Sequence, residues 1–533
     1  MPFHFHPGVA GGPAAPSRLS PPRTGKAGRR ATGIIAFALI LLPALAGFAL
    51  QAAGKTPPNI VLIYADDLGW GDLGCYGATR VKTPNCDRLA AQGLRFTDAH
   101  SASAMCSPSR YALLTGEYTI RRRGLFLDLP GNAPLAIEPG RQTLPAVLKQ
   151  AGLATALVGK WHLGLGAGKE DLNWNEPLRP GPLDIGFDYA FFIPADADRV
   201  PCVYVENDRV VGLDPADPLR VYYGKPPPDV PTASAFRKQL KMPYSHGHSQ
   251  GVVNGLSRSG YQAGGQAAAW KDEDIADTLV QKAVAFIEGQ KKSPFFLLLA
   301  THDIAVPRVV HSRFAGQSDM GPRGDAIAQF DWAVGEIINA LDRHKLLKKT
   351  LVILTSDNGP VADDGYRDGA AEKMGDHRPA GPWRGGKYSP FEGGTRVPLL
   401  VYWPGRVKAG VSDALICQVD FLASLAALTG QRLGLGAGPD SFNLLPVLLG
   451  ESKKGRDHLV QQGEVLALRE DPWKLVLPGR NVKHPGPDDP PEGFLFRLDL
   501  DPGETNNLAR QHPEQLEEML NRLEDLRGMS SVR

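Results

Sequence analysis

The sequence lacks an excess of charge of either sign. Its 533 residues contain 59 lysines and arginines against 57 aspartates and glutamates, so the formal net charge at pH 7 is +2. A nucleic-acid-binding surface needs a concentrated surplus of cations, so this balance argues against a nucleic-acid partner. With 42% hydrophobic and 8% aromatic residues, the composition also argues against a disordered or fibrous chain. We therefore expect a globular protein of two to three units, at roughly 100–200 residues per domain.

Long apolar runs are scarce, and the clear one is GIIAFALILLPALAGFALQAA at residues 33–53. Residues 1–32 are rich in proline, glycine and arginine, with basic residues just before the run. This layout is typical of an export signal, although a run near the roughly 20 residues that span a bilayer also fits a membrane anchor. Pro43 in the middle of the run and the small residues around it favour a cleaved signal. We therefore assign residues 1–53 to a basic extension and signal segment, and expect an exported protein with no stable membrane span after cleavage.

Cysteine is also scarce, with five residues in the whole chain. An odd number in an exported protein leaves at least one thiol without an intramolecular partner. Cys106 is the cysteine whose surroundings indicate chemistry. The remaining four, which fit either two disulfides or buried thiols, are Cys75, Cys86, Cys202 and Cys417.

Short apolar runs alternate with helical patterns along the rest of the chain. The runs that predict buried strands are residues 59–65, 154–158, 295–300 and 351–355. The segments with helical periodicity are residues 144–151, 275–286 and 326–342. This alternation predicts an α/β fold with a largely parallel central sheet flanked by helices.

Polar residues stand repeatedly just after the predicted strands. They are Asp66, Asp67, Lys160, His162, His302, Asp357 and Asn358. An isolated aspartate after a strand is more often a helix cap or a turn residue than a metal ligand. However, ligands of open α/β sheets bind outside the carboxyl ends of the strands, so the recurrence predicts one shared site there.

Two further regions interrupt or follow this pattern. Residues from about 207 to 268 are rich in proline, glycine and serine, which predicts a long insertion of the kind that often forms a lid or binding loop. Its His246-Gly247-His248 sequence resembles a metal site weakly, and we expect a solvated loop there. From about residue 430 short strands give way to an amphipathic helix over 514–527, which predicts a smaller C-terminal α+β subdomain spanning 431–533.

The segment Cys106 to Gly116 reads CSPSRYALLTG. It agrees at every defined position with the C-x-P-S-R-x-x-L-L-T-G signature of the sulfatase family. A second family pattern is present as GLATALVGKWH at residues 152–162, and further stretches are YADDLGWGDLGCYG, TSDNG and WRGGKYSPFEGGTRVP. The chain therefore resembles the sulfatases from about Pro57 to its end. The resemblance implies an alkaline-phosphatase-like fold with a catalytic domain over residues 56–430.

The resemblance also implies that Cys106 is oxidised to formylglycine by a maturation enzyme that reads the CSPSR pentapeptide. In its hydrated form, one hydroxyl of this aldehyde attacks sulfur and the other later expels the sulfate. Such covalent catalysis divides one difficult step into two easier ones. Outside this signature, a lone cysteine would more often be a buried structural thiol.

By the same resemblance, one divalent cation is held by Asp66, Asp67, Asp357 and Asn358, with position 106 completing the shell. Oxygen ligands suit a hard cation, so we expect Ca²⁺. Zinc phosphatases and phosphodiesterases that share the fold use several histidine ligands and a serine or threonine nucleophile. The Asn358 that follows Asp357 favours the one-metal sulfatase site.

The resemblance assigns the remaining catalytic roles to four basic side chains. Arg110 would stabilise the aldehyde hydrate, and Lys160 and Lys387 would hold the sulfate oxygens as negative charge develops on them. His162 would take a proton from the second hydroxyl, a task that suits a side chain titrating near neutrality.

The sequence departs from the family on the leaving-group side. Related sulfatases usually carry a histidine in an H-x-P arrangement after this strand, whereas THDIAVP has Ala305 at that position. Loss of leaving-group protonation would cost about 10²–10⁴ in rate for a sugar alkoxide. His302 lies close in sequence and is the candidate substitute, although strand alternation does not fix where it points.

These observations predict a hydrolase of sulfate monoesters whose substrate is a sulfated carbohydrate or an aryl sulfate. Ala305 motivates an alternative, a catalytically impaired relative that binds sulfated glycans. A phosphate or phosphonate ester hydrolase on the same fold is a third interpretation. The modest number of cations in the predicted site fits the single charge of a sulfate ester better.

Overall fold

The computed structural model describes residues 56–122, 127–168, 171–228, 230–479, 482 and 490–528. The predicted signal segment at residues 1–53 lies outside the described residues. Among the helices of the described part, none combines the length and the apolar character needed to cross a bilayer.

The strands are short and regular. In chain order they are β1 Asn59–Ala65, β2 Leu94–Phe96, β3 Ala99–His100, β4 Ala154–Lys160, β5 Tyr189–Ile193, β6 Val205–Glu206, β7 Arg209–Val210, β8 Arg220–Tyr222, β9 Gly251–Val253, β10 Leu256–Arg258, β11 Tyr261–Ala263, β12 Phe295–Ala300, β13 Thr350–Ser356, β14 Leu399–Tyr402, β15 Gly410–Ser412, β16 Ile416–Cys417, β17 Leu459–Gln462, β18 Leu466–Glu470, β19 Trp473–Val476 and β20 Phe494–Arg497.

The α-helices that accompany them are α1 Pro84–Gln92, α2 Cys106–Thr115, α3 Leu144–Gln150, α4 Ile275–Gly289, α5 Pro322–Arg343, α6 Ala370–Lys373, α7 Glu392–Thr395, α8 Phe421–Leu428, α9 Leu445–Leu448 and α10 Pro513–Gly528.

A ten-stranded sheet forms the centre of the molecule, in the order β15-β2-β14-β13-β1-β12-β4-β5-β6-β7. Its five middle strands, from β13 to β5, run parallel. Strand β14 pairs antiparallel with β13, and β6 pairs antiparallel with β5. The predicted α/β fold with a largely parallel sheet is confirmed.

Both faces of this sheet are covered, which explains why its strands are continuously apolar. All seven residues of β1 are buried. Ile60 and Leu62 point into one core cluster together with residues of α3 and α8, whereas Val61 and Ile63 point into a second cluster with residues of α4 and α5. Successive side chains of a strand alternate between faces, so β1 contributes to both cores.

The chain from residue 56 onward forms one compact unit. Its C-terminal part contains a separate antiparallel sheet in the order β17-β18-β19-β20. Leu516, Met519 and Leu523 of α10 pack with this sheet in a cluster of their own. The smaller C-terminal α+β portion is thus present and belongs to the same compact body.

The predicted insertion contains two small antiparallel pairs, β8 with β11 and β9 with β10. None of the five cysteines forms a disulfide, so Cys75, Cys86, Cys202 and Cys417 are thiols rather than two disulfide pairs. Four of the five are buried, and Cys75 is partly exposed.

Candidate active site

The predicted site residues converge because neighbouring parallel strands end at the same edge of the sheet. Strand β1 leads into Asp66 and Asp67, β4 ends at Lys160, β12 leads into His302, and β13 leads into Asp357. All five are buried. The strand-end pattern of the sequence therefore placed these side chains together correctly.

Cys106 enters this edge from outside the sheet, as the first residue of α2. All ten residues of α2 are buried, and the Cys106 Sγ lies 3.5 Å from Asp66 Oδ1. Burial, and after it the carboxylate of Asp357, raise the pKa of the Cys106 thiol well above its ordinary value. An unmodified thiol in this position is protonated and a poor nucleophile.

Asp66, Asp67, Asp357 and Cys106 have ligand atoms that all lie within 4.8 Å of one another. Beside them, Asn358 Nδ2 donates to Asp67 Oδ1 at 2.7 Å. The Oδ1 of Asn358 is buried and has no hydrogen-bond partner. An unpartnered buried oxygen next to three carboxylates fits a hard cation, which takes oxygen ligands.

Burial opposes the charged form of these carboxylates, and the neighbouring charges offset it to different extents. Burial and the neighbouring Asp66 raise the pKa of Asp357 to about 7, although Arg110 and Lys160 act in the opposite direction. Burial also raises the pKa of Asp67, against the effect of Lys387. In contrast, Lys160 and His302 outweigh burial at Asp66 and lower its pKa.

Three buried cations surround this group. Arg110 donates to Asp357 Oδ2 at 2.7 and 3.0 Å and to the carbonyl of Lys160 at 3.0 Å. Lys160 Nζ lies 2.5 Å from both Asp66 Oδ2 and Asp196 Oδ2. Lys387 Nζ donates to Asp67 Oδ2 at 2.9 Å and to Asp364 Oδ2 at 2.8 Å.

His162 lies beside Cys106 and is held by the backbone. Its Nε2 lies 2.9 Å from the carbonyl of Leu129, which can only accept, so Nε2 carries the hydrogen. Its Nδ1 is buried without a partner and has a free lone pair. Burial, with Arg199 and Lys160, lowers the pKa of His162 to about 3, so the ring is neutral at physiological pH and the expectation of a side chain that titrates near neutrality is wrong.

His302 lies behind the carboxylates. Its Nδ1 is 3.0 Å from Asp196 Oδ1 and 3.8 Å from Asp66 Oδ2. Burial would lower the pKa of His302, but the two carboxylates raise it to about 9. Ala305 is buried a turn later and brings no titratable group to the site.

Sequence reasoning missed five side chains of this region. They are Asp196, Asp198, His248, Asp364 and Tyr388. The first two follow β5 in the sequence PADAD, so the strand-end rule would have found them. The expectation of a solvated loop holds for the exposed His246 and is wrong for His248, because its Nε2 lies 2.5 Å from the buried Asp198 carboxylate.

Comparisons with known proteins agree with one another. The sequence profile of the Sulfatase family matches residues 58–431. Over 513 residues the chain is 47% identical to the N-acetylgalactosamine-6-O-sulfatase of Bacteroides thetaiotaomicron, covering 91% of this chain and 98% of that protein. It is 33% identical to human arylsulfatase A over 495 residues, covering 88% of this chain and 86% of that one.

A solved structure from work on the metabolism of multiple glycosaminoglycans by Bacteroides thetaiotaomicron has 47% sequence identity and a TM-score of 0.84. The match covers 89% of this chain and 100% of that one. The fold is therefore that of the sulfatases, which is alkaline-phosphatase-like. With the profile covering the catalytic sheet and two relatives matched over most of their length, the chain belongs to the sulfatase family and is a sulfatase.

Proposed function

We propose that this sulfatase removes the 6-sulfate of N-acetylgalactosamine residues in sulfated glycans, using formylglycine derived from Cys106 and one Ca²⁺ ion. The observation that carries the proposal is the position of Cys106, which lies buried within 4.8 Å of three carboxylates at the start of the CSPSR helix. The 47% identity to an N-acetylgalactosamine-6-O-sulfatase supports the choice of sugar.

The cation would be held by the carboxylates of Asp66, Asp67 and Asp357 and by the unpartnered Oδ1 of Asn358. When bound, Ca²⁺ would supply positive charge that polarises the oxygens of the nucleophile and the sulfate. The hydrated aldehyde at position 106 would supply the attacking hydroxyl.

The chain's own cations bind and orient the sulfate. Lys160 and Lys387 have their ammonium groups buried at the carboxylate cluster, from which they reach the anionic oxygens of a bound sulfate ester. Fixed charges in a buried site stabilise the negative charge that develops there without reorganising at the moment of reaction. Arg110, anchored on Asp357, holds the α2 end of the site in place.

His162 would accept, at its Nδ1, the proton of the second hydroxyl of the aldehyde hydrate. The hydrogen bond from Nε2 to Leu129 fixes the tautomer, so the free lone pair lies on Nδ1, next to Cys106. A neutral, oriented imidazole beside the nucleophile meets the geometric requirement for a general base, while its low pKa makes it a weak one.

The leaving-group side supports a second candidate function, the binding of sulfated glycans with little turnover. Ala305 provides no acid, and His302 faces Asp66 and Asp196. A sugar alkoxide needs protonation far more than an aryl oxide does. An impaired enzyme would therefore release sulfate from an aryl sulfate and leave a 6-sulfated sugar uncleaved.

The test combines a mass measurement with two assays on one preparation. The tryptic peptide that contains Cys106 is examined for formylglycine, and sulfate release is measured from an aryl sulfate and from N-acetylgalactosamine 6-sulfate. Formylglycine with turnover of both substrates is the expected result, and Cys106→Ala abolishes both. Cys75→Ala, which changes a cysteine away from the site, leaves both intact.

Formylglycine with turnover of the aryl sulfate alone would favour the binding function. Formylglycine with no turnover of either substrate would contradict the proposed reaction. Ala305→His then tests whether the lack of a general acid at position 305 limits the rate. If it does, turnover of the sugar sulfate alone is expected to rise.

We also propose that the chain is exported through residues 1–53 and matured by a formylglycine-generating enzyme. The support is the signal-like sequence and the CSPSR pentapeptide. The N-terminal mass of the protein recovered outside the cytoplasm tests the first point. Co-expression with and without the maturation enzyme, read as the formylglycine fraction, tests the second.

A further inference from the structure

Tyr388 stands at the opening of the site, directly after the predicted sulfate-binding Lys387. Lys387 is buried with its Nζ on Asp67, whereas Tyr388 is 39% exposed. The Lys387 Nζ lies 5.4 Å from the centroid of the Tyr388 ring. A group bonded to a sulfate held by Lys387 would therefore reach this ring on its way out of the site.

The ring is fixed before any substrate arrives. Its hydroxyl donates to the carboxylate of Asp364, with oxygen distances of 3.0 and 3.2 Å, and Asp364 is in turn tied to Lys387. The Tyr388 backbone N donates to the carbonyl of Ala104, and its own carbonyl accepts from the N of Glu464, both at 2.7 Å. The ring, the sulfate-binding cation and the CSPSR segment are thus held in one arrangement.

The backbone of Tyr388 is strained, with a φ of 71°. This region favours glycine, and an aromatic residue is uncommon there. Glycine would fit the backbone better, so the large ring occupies this position against the backbone preference. Strain of this kind is retained at sites where the surroundings hold a side chain for a purpose.

An aromatic ring on a partly exposed residue beside a sulfate site suits a sugar ring. The face of the phenol carries partial negative charge and attracts polarised C–H groups. In a galacto-configured pyranose the axial 4-hydroxyl points to one face, which leaves the C–H bonds at positions 3, 4 and 5 together on the other. A gluco-configured sugar lacks this single apolar face.

We propose that the Tyr388 ring is the platform on which the sulfated sugar stacks, and that it selects galacto-configured sugars through their C–H face. The inference rests on the proposed function and deepens it, because it names the residue that recognises the sugar rather than the sulfate. Asp364 acts as the positioning residue that holds the ring.

Two variants separate the effect of the Tyr388 ring from the effect of its hydroxyl, which binds Asp364. Tyr388→Gly removes the ring and suits the φ of 71°, so it is expected to fold. Tyr388→Phe keeps the ring and loses the hydroxyl. We expect Tyr388→Gly to raise the KM for N-acetylgalactosamine 6-sulfate about tenfold, and Tyr388→Phe to change it less than about threefold.

Two further readouts distinguish stacking from a merely structural role. Inhibition by inorganic sulfate, which reports on Lys160 and Lys387, is expected to stay within about twofold of wild type in Tyr388→Gly. The preference of kcat/KM for N-acetylgalactosamine 6-sulfate over N-acetylglucosamine 6-sulfate is expected to fall about tenfold in the same variant.

An unchanged KM and an unchanged sugar preference in Tyr388→Gly would overturn the proposal. A parallel loss of sulfate inhibition would also overturn it, because the residue would then act through Lys387. If the wild-type enzyme carries formylglycine and turns over neither sugar, the proposed function fails. The platform is then tested by measuring the binding of the sulfated sugar. In Cys106→Ala protein, weaker binding of N-acetylgalactosamine 6-sulfate on adding Tyr388→Gly supports the platform, and equal binding overturns it.

Discussion

Two buried clusters of charged residues differ in how their negative charge is balanced. The site cluster consists of Asp66, Asp67, Asp357, Arg110, Lys160 and Lys387. The interface cluster consists of Asp98, His100, Glu392, Arg396, Arg469 and Lys474, and it joins the C-terminal sheet to the catalytic part. Each cluster holds at least three ligand-type groups whose atoms lie within 4.8 Å of one another. Proximity alone therefore does not show which cluster holds a metal ion.

In the interface cluster, the cations form ion pairs with both Glu392 and Asp98. Glu392 accepts hydrogen bonds from Arg396 at 3.2 Å and from Arg469 and Lys474 at 3.0 Å each. Asp98 also contacts both arginines. Burial would raise the pKa of each carboxyl group, but the cations outweigh it and lower both pKa values.

The two clusters do not differ in their count of charges. The site cations are shared with Asp196 and Asp364, so five carboxylates contact Arg110, Lys160, Lys387 and His302, and the interface cations are shared in the same way with Asp471 and Glu504. The pKa of Asp357 is raised to about 7, and the Asn358 Oδ1 has no partner. The difference teaches that a metal site is recognised by its set of oxygen ligands, here three carboxylates beside an unpartnered amide oxygen, rather than by the number of charges.

The largest expected effect is the loss of turnover when the cation is chelated from the site cluster. Lewis-acid polarisation contributes several kcal/mol, so turnover should fall by at least about 10³-fold and return when Ca²⁺ is added. Ca²⁺ at 1,000 times its Kd should also stabilise the fold by about 4 kcal/mol. Sulfate release and the thermal midpoint, before and after chelation, measure the two effects. Full turnover in protein shown to be metal-free would contradict the assignment of a catalytic metal ion to the site cluster.

The second prediction concerns Glu392→Gln in the interface cluster. Removing one partner of a buried ion-pair network leaves the remaining charges uncompensated, so the free energy of unfolding should fall by about 3–5 kcal/mol. The loss should be the same with and without Ca²⁺, because no metal is needed there. Urea denaturation in both conditions provides the measurement.

Glu470→Gln is the matched control, since Glu470 forms a partly exposed pair with Arg522 at 3.3 Å. Its effect should stay below about 1 kcal/mol. A Glu392→Gln loss that appears only in calcium-free protein would mean that the interface cluster also responds to the metal.

The sequence predicted the site cluster better than the interface cluster for a physical reason. Parallel strands end at one edge, so strand ends brought Asp66, Lys160 and Asp357 together from the chain pattern alone. Arg396 lies only four residues from Glu392, but Arg469 and Lys474 come from β18 and β19, more than 70 residues away along the chain, and no local pattern reports those two contacts. The direction of His302 was equally unpredictable, because strand alternation stops at Ala300, where β12 ends.

The smallest expected effect comes from the Asp198–His248 pair, which is an ion pair only while His248 is charged. His248 Nε2 lies 2.5 Å from Asp198 Oδ2, its ring stacks on Tyr366, and Arg199 and Asp364 also face it. Burial and Arg199 would lower the pKa of His248, but the carboxylates raise it above the ordinary value. The pair therefore stabilises the fold fully below about pH 6.5, and its contribution is lost as the pH rises through the raised pKa.

We expect His248→Gln to lower the free energy of unfolding by about 1 kcal/mol more at pH 6 than at pH 9. Urea denaturation of wild type and variant at both pH values isolates this difference from other titrating groups. The exposed His246→Gln is the matched control for loss of a histidine from the same loop, and its effect should stay below about 1 kcal/mol. A loss of equal size at both pH values would show that His248 contributes through packing on Tyr366 rather than through its charge.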